Sequence, residues 1–167
     1  AALARGRTPL SAHRAMPGLR SGSAATRGCM TSAAVTTAPA PPVPTPFELF
    51  GGAVAVRKLV DRFYDLMEGD PDYAALRALH APDLDPMRTS LTGFLVAWLG
   101  GPRDWFDARP GGPCVMSMHR NIAIDRAVAD QWLAAMARAL DASAIDAPLR
   151  SAITTAFTRM AGGMVNR

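Results

Sequence analysis

After Pro46 the apolar residues recur at spacings of three and four, and almost no stretch alternates apolar with polar, so the chain can bury them only along amphipathic helices. Ala53 to Met67 sets Leu59, Val60, Phe63, Tyr64 and Met67 on one face, and a short element is predicted over Tyr73 to Leu79. Asp85 as N-cap with Pro86 in the first turn opens a third helix. It stacks Met87, Leu91, Phe94, Leu95 and Trp98 until Gly100, Gly101 and Pro102 stop it. Asp125 caps a helix with Val128, Trp132, Met136 and Leu140 in register, and Asp146 starts another with Leu149, Ile153, Phe157, Met160 and Met164. The prediction is an all-α fold of five main helical pieces without an internal repeat.

The first 46 residues read differently. They are Ala, Pro, Thr, Ser and Arg with hardly a large apolar side chain, and they close on APAPPVPTP, which cannot bury enough surface to offset the entropy of ordering. The division is therefore a disordered tail over 1–46 and one folded domain over 47–167. The tail has the Arg-rich, acid-free composition of an organelle transit peptide without a clear amphipathic repeat, and the preferred reading is Met30 as the start with an appended leader before it. The tail also owns the excess charge: it carries five Arg and no acid, whereas 47–167 holds 13 Lys and Arg against 14 Asp and Glu, a net of about −1. A folded part without a basic footprint is a poor match for nucleic acid. Neither does any apolar run reach the roughly 18 residues that a membrane span needs. Cys29 and Cys114, one in each region, read as free thiols of a reducing compartment, which points to the cytoplasm.

Between Gly101 and Ile124 the periodicity breaks down into GGPRDWFDARPGGPCVMSMHRN, an irregular stretch long enough to suggest a functional loop. His119 lies at its end. With His13 in the tail, imidazole chemistry in the domain falls to His80 or His119. No H-E-x-x-H, C-x-x-C, G-x-S-x-G or P-loop is present, two histidines are few for a structural zinc site, and Cys114 with His119 is the one conceivable nucleophile pair. From the residues alone His119 is equally an ordinary half-buried histidine, and Tyr64 and Trp132 would be core residues in any helical bundle.

The segments FELFGGAVAVRKLVDRFYDLM, LRALHAPDL, FLVAWLGGPRDWF, CVMSMHRN, DQWLAAMARAL and the closing MVN resemble, in that order, the group II truncated haemoglobins. The similarity covers about residues 47 to 166. It implies a truncated-globin 2-on-2 helical sandwich around haem b (iron protoporphyrin IX), with His119 as the proximal ligand of the iron. Tyr64 then corresponds to the distal tyrosine, Trp132 to the tryptophan facing the gas-binding side, and His80 to a position that is usually Tyr, Phe or His. Met87, Leu91 and Phe94 would line the pocket from the distal helix. Two departures stand out. Met116-Ser117-Met118 occupy the place where many relatives carry an Arg that meets a haem propionate, which leaves Arg120 and Arg88 as candidates. Met87 replaces a residue that is often smaller or polar and would narrow the path of an incoming ligand.

The resemblance implies O2, NO or CO as diatomic ligands at ferrous iron, with tight, slow-releasing oxygen binding. It also implies an electron donor that the sequence does not identify, and a monomer or homodimer. Oxidation of nitric oxide (a dioxygenase reaction) and peroxidase-like turnover are the side activities that slow release would favour. The competing expectation is a haem-free helical interaction module whose aromatics are core and whose Pro-rich tail recruits a partner.

Overall fold

Thr45 and Pro46 open the first helix in the computed structural model, which describes residues 43–167 apart from positions 110, 112 and 113. Helix α1 (Pro46–Phe50) begins with a capping box: the Glu48 N–H donates to Thr45 Oγ1 at 3.2 Å, and the Thr45 N–H donates to Glu48 Oε2 at 2.7 Å. Composition places the end of the tail at Pro46, and in the structure Thr45 caps α1 and Pro46 is its first residue, polar and proline positions that hydrophobic patterning does not register. The disorder expected of the rest of the tail, and Cys29, lie outside the described residues.

Gly51 carries φ 97°, a left-handed conformation that closes α1 and starts α2 (Gly52–Gly69). Helix α2 buries Val56, Leu59, Val60, Phe63, Tyr64 and Met67, which is the predicted stripe extended by one turn. A 3₁₀ turn (Pro71–Tyr73) and α3 (Ala74–Ala78) follow, then α4 (Asp85–Trp98). Asp85 is the first residue of α4 and not its cap; Leu84 holds the cap position without a side-chain hydrogen bond, so Asp85 favours the helix through its charge at the N-terminus. At the far end of α4 the Phe47 N–H donates to Leu99 O at 2.9 Å, and the Phe47 ring lies so close to Gly101 that a Cβ there would fall 2.8 Å from it. That contact accounts for Gly101, and Gly100 before it carries φ 96°, in the left-handed region that favours glycine.

The irregular stretch contains two short helices, α5 (Asp104–Asp107) and α6 (Val115–His119), each too short to show a helical period. Asp125 and Asp146 cap α7 (Arg126–Asp141) and α8 (Ala147–Met164) as expected, each accepting a backbone N–H at 2.8 Å. No strand occurs among the described residues. Helices α2 and α4 form one pair and α7 and α8 the other, and α2 against α7 is the main seam between them. The core at that seam holds Phe63, Met67, Met136 and Leu140, all nearly inaccessible, together with Leu95 and Phe157. Truncating Phe63 there would cost about 3–5 kcal/mol. Helix α6, by contrast, packs on α8 and buries none of its own residues.

Candidate functional site

His119 is the last residue of α6, not a loop residue. Its Nδ1 lies 2.8 Å from Val115 O, one turn back. A carbonyl oxygen only accepts, so Nδ1 must carry the hydrogen, and Nε2 is left with its lone pair exposed: the form in which a neutral imidazole ligates a metal. The segment after it is held from the other end of the chain. Asn166 accepts the Ile124 N–H at 3.0 Å, donates its backbone N–H to Ile124 O at 2.9 Å, and donates Nδ2 to Ile122 O at 2.8 Å. This is the structural content of the closing MVN.

His80 repeats the same device. Its Nδ1 donates to Leu76 O at 2.9 Å, again leaving Nε2 as an acceptor. Its loop is held by Arg77, whose guanidinium donates to Ala81 O and Pro82 O at 2.9 Å each. The Leu76 N–H, one of the orphan donors at the start of α3, is met by Gln131 Oε1 of α7 at 2.8 Å. Burial, foremost, pushes the His80 imidazole below its ordinary pKa; the Leu76 bond opposes this, and the charges of Arg77 and His119 add to it.

Tyr64 presents a ring edge to His80, with centroids 6.0 Å apart at 80°. The side chain is 4% exposed, yet no hydrogen bond to its hydroxyl is found among the described residues. Burial pushes that hydroxyl's pKa up to about 12, with the Arg88 charge opposing, so it is a neutral donor. Trp132 packs against Phe63 (5.7 Å) and Phe157 (5.4 Å), and its indole N–H likewise lacks a partner among the described residues. The Tyr64 hydroxyl, the Trp132 indole N–H and one ring nitrogen each of His80 and His119 make no hydrogen bond among the described residues, and none of these atoms is sealed from solvent. Leu91, Phe106, Val115 and Met160 lean on the core without being fully covered. A flat apolar group with one metal centre fits this donor set. Haem is such a group.

Leu91 faces the core edge, and Phe94 is buried with its ring against Trp105 (5.3 Å) and Phe106 (6.2 Å) of α5. Met87 is 40% exposed, so it sits at the surface end of α4. Arg120 is exposed and makes no ion pair among the described residues. Arg88 is withdrawn as a propionate partner: it is nearly buried, donates to Asp61 O (2.7 Å) and Asp65 Oδ1 (2.8 Å), and lies 3.3 Å from Glu68. Those bonds fasten α4 to α2. Cys114 is an exposed free thiol at the N-cap of α6. Gln131 and Asn166 escape sequence reasoning, since a Gln beside a Trp on a helix and an Asn near a terminus read as solvated; only the placing of MVN in the resemblance signals the second.

The bacterial-like globin family model matches residues 45–166. The group 2 truncated hemoglobin YjbI of Bacillus subtilis is 28% identical over 122 residues, covering 73% of this chain and 89% of that protein. The group 1 truncated hemoglobin LI410 of Chlamydomonas moewusii is 36% identical over 77 residues, and the match spans only 44% of its length. The group II 2-on-2 hemoglobin of Agrobacterium tumefaciens superposes with a TM-score of 0.72 at 34% identity, covering 76% of this chain and 98% of that one. With a family model that matches the whole described domain and a fold that agrees with these structures, the chain belongs to the bacterial-like globins, proteins that bind diatomic gases at haem, and among them to the group II truncated haemoglobins.

Proposed function

We propose that this globin holds haem b through His119 and retains O2 tightly, with Tyr64 and Trp132 as the donors that slow its release. The observation that carries the reading is the pair of imidazoles whose Nδ1 contacts leave Nε2 open, together with a Tyr64 hydroxyl and a Trp132 N–H that make no hydrogen bond among the described residues. Haem, when bound, supplies the iron and its redox chemistry; the chain supplies an axial nitrogen, a dry pocket and aimed donors.

What the residues do follows from their states. The His119 ring is oriented by the Val115 carbonyl, which also raises the basicity of Nε2. Tyr64 remains protonated across the physiological range and so donates, and the Trp132 N–H can only donate. A ligand that draws electron density onto its outer atom is held by both; carbon monoxide gains less. At roughly 1 to 1.5 kcal/mol per donor, the pair slows oxygen release by about one to two orders of magnitude. Slow release suits oxidation of nitric oxide or peroxide turnover better than bulk delivery, and either requires an electron donor. A cytoplasmic location and a monomer or homodimer complete the reading. Arg120, exposed close to His119, is the cation available for a propionate.

The test is spectroscopic and kinetic. The purified protein shows a Soret band, and stopped-flow oxygen dissociation accelerates about tenfold in Tyr64→Phe and in Trp132→Phe. A colourless, well-folded protein that hemin leaves unchanged would return the haem-free module, and fast release in the wild type that neither substitution alters would remove the donor role.

A further inference from the structure

Gly163 lies in the last turn of α8, where glycine is a poorer helix former than alanine and where no left-handed φ asks for it. Room is what asks for it. A Cβ at Gly163 would collide with the methyl carbon of Met116 and come within 3.7 Å of its sulfur, so the Met116 thioether lies where a side chain would stand. The neighbouring Gly162 meets nothing within 4 Å, which confines the contact to one residue. Met116 belongs to α6, which has no side-chain cap, buries none of its residues, packs on α8 and ends in His119. The same side chain is 37% exposed. Its methyl end thus seats the helix of His119 on α8 while the rest is open to small oxidants.

We propose that Met116 is an oxidation site at which a peroxide switches the attachment of α6. The sulfur lone pair attacks one oxygen of hydrogen peroxide: an S–O bond forms, the O–O bond breaks, and the other oxygen leaves with the remaining proton as water. The thioether loses two electrons and the peroxide gains them, so no further reactant is needed. Oxidation turns a flexible apolar group into a polar one that must be solvated. The sulfoxide therefore leaves Gly163, and α6 loses the contact that seats it. The change is reversible, because sulfoxide reductases regenerate the thioether. Met118, on the same helix and 49% exposed, is the built-in comparison. Faster haem loss as a consequence rests on the haem reading above; the loosening of α6 does not.

The ferric protein is first ligated with cyanide, which keeps the peroxide from the iron, then treated with hydrogen peroxide and freed of cyanide. Peptide mapping should find the sulfoxide at Met116. Haem loss to a scavenging apoprotein should accelerate by about tenfold, the worth of roughly two methylene-sized contacts. Amide exchange should accelerate by a similar factor at Met118 and Ile122, whose N–H groups donate to Cys114 O and His119 O at 3.1 and 3.0 Å. Met116→Leu, which keeps the apolar fill without the sulfur, should be indifferent to peroxide, and Met118→Leu should respond as wild type does. Cys114 is oxidised alike in all of them. Gly163→Ala, a better helix former that displaces the thioether, should reproduce both accelerations without peroxide, and sulfoxide reductases should reverse them in wild type alone. An unmodified Met116 overturns the proposal, as does a sulfoxide there that leaves amide exchange unchanged, or a Met116→Leu protein that responds like wild type. Should the protein take up no haem, the exchange is read on the haem-free chain, so that the switch and the haem reading fail separately.

Discussion

The two histidines of the pocket use one local device and rest on different supports. In each, Nδ1 donates to the carbonyl four residues back and Nε2 stays open. His80, however, belongs to a corner pinned from elsewhere: Gln131 and Arg138 of the sixteen-residue α7 reach Leu76, Asp70 and Tyr73, and Arg77 holds the loop that follows. His119 ends a five-residue helix that buries nothing, starts at Cys114 without a side-chain cap, and is steadied by α8 and by Asn166. The geometry around His80 is imposed by tertiary bonds. That around His119 is local, and in the proposed reading the haem iron would complete it, which would place α6 at the low-stability end of the fold.

The contrast is broken most severely by exchanging which histidine is lost. His119→Ala should abolish the Soret band while leaving the haem-free chain folded, because the ring is half-exposed and outside the core. His80→Ala should keep the band. Absorbance of the two purified proteins after hemin addition settles the matter: a Soret band that survives His119→Ala, or vanishes in His80→Ala alone, would reverse the assignment of the two sides.

A smaller effect separates the supports. Asn166→Ala removes two side-chain bonds to the segment after His119, roughly 1–2 kcal/mol in all, and should speed haem loss to a scavenging apoprotein by about tenfold. Arg138→Met removes a comparable tie on the distal corner, to Asp70 and Tyr73. An exposed pair of that kind contributes little, so it should lower the thermal midpoint slightly and leave haem loss where it was. Equal haem loss from both variants would mean that the two walls are not independently supported.

The long helices were legible because period and caps coincide in them: the stripe from Leu59 to Met67, Asp125 and Asp146 are where patterning puts them. Helices α5 and α6 were not, since four or five residues complete barely one turn and show no face. Within the site, Tyr64, Trp132 and His119 carry a signal only through the order of the segments around them; each alone reads as core or loop. The supporting contacts were illegible for a further reason. Gln131 and Leu76 are 55 residues apart and Asn166 and Ile124 are 42 apart, and each bond joins a side chain to a backbone group, which leaves no complementary pair of residue types in the sequence. Arg88 shows the converse, since a cation near a pocket reads as an anion partner until Asp61, Asp65 and Glu68 are found around it.

The mildest test of the contrast is pH. Because the distal corner holds His80 away from water, the folded ring has a lowered pKa, burial being the main cause, with Arg77 and His119 adding to it and the neutral Tyr64 hydroxyl facing it. The unfolded ring titrates near the ordinary value of about 6.5. As pH falls through that value the unfolded chain takes up a proton that the folded chain still refuses, so stability declines from about pH 6.5 downward and levels off once the folded pKa is passed. Denaturant unfolding should therefore show wild type losing more stability between pH 7.5 and pH 5 than His80→Phe, which has no proton to take up. Identical losses in the two proteins would mean that the ring is solvated in the folded state, and that the corner is no more rigid than the segment bearing His119.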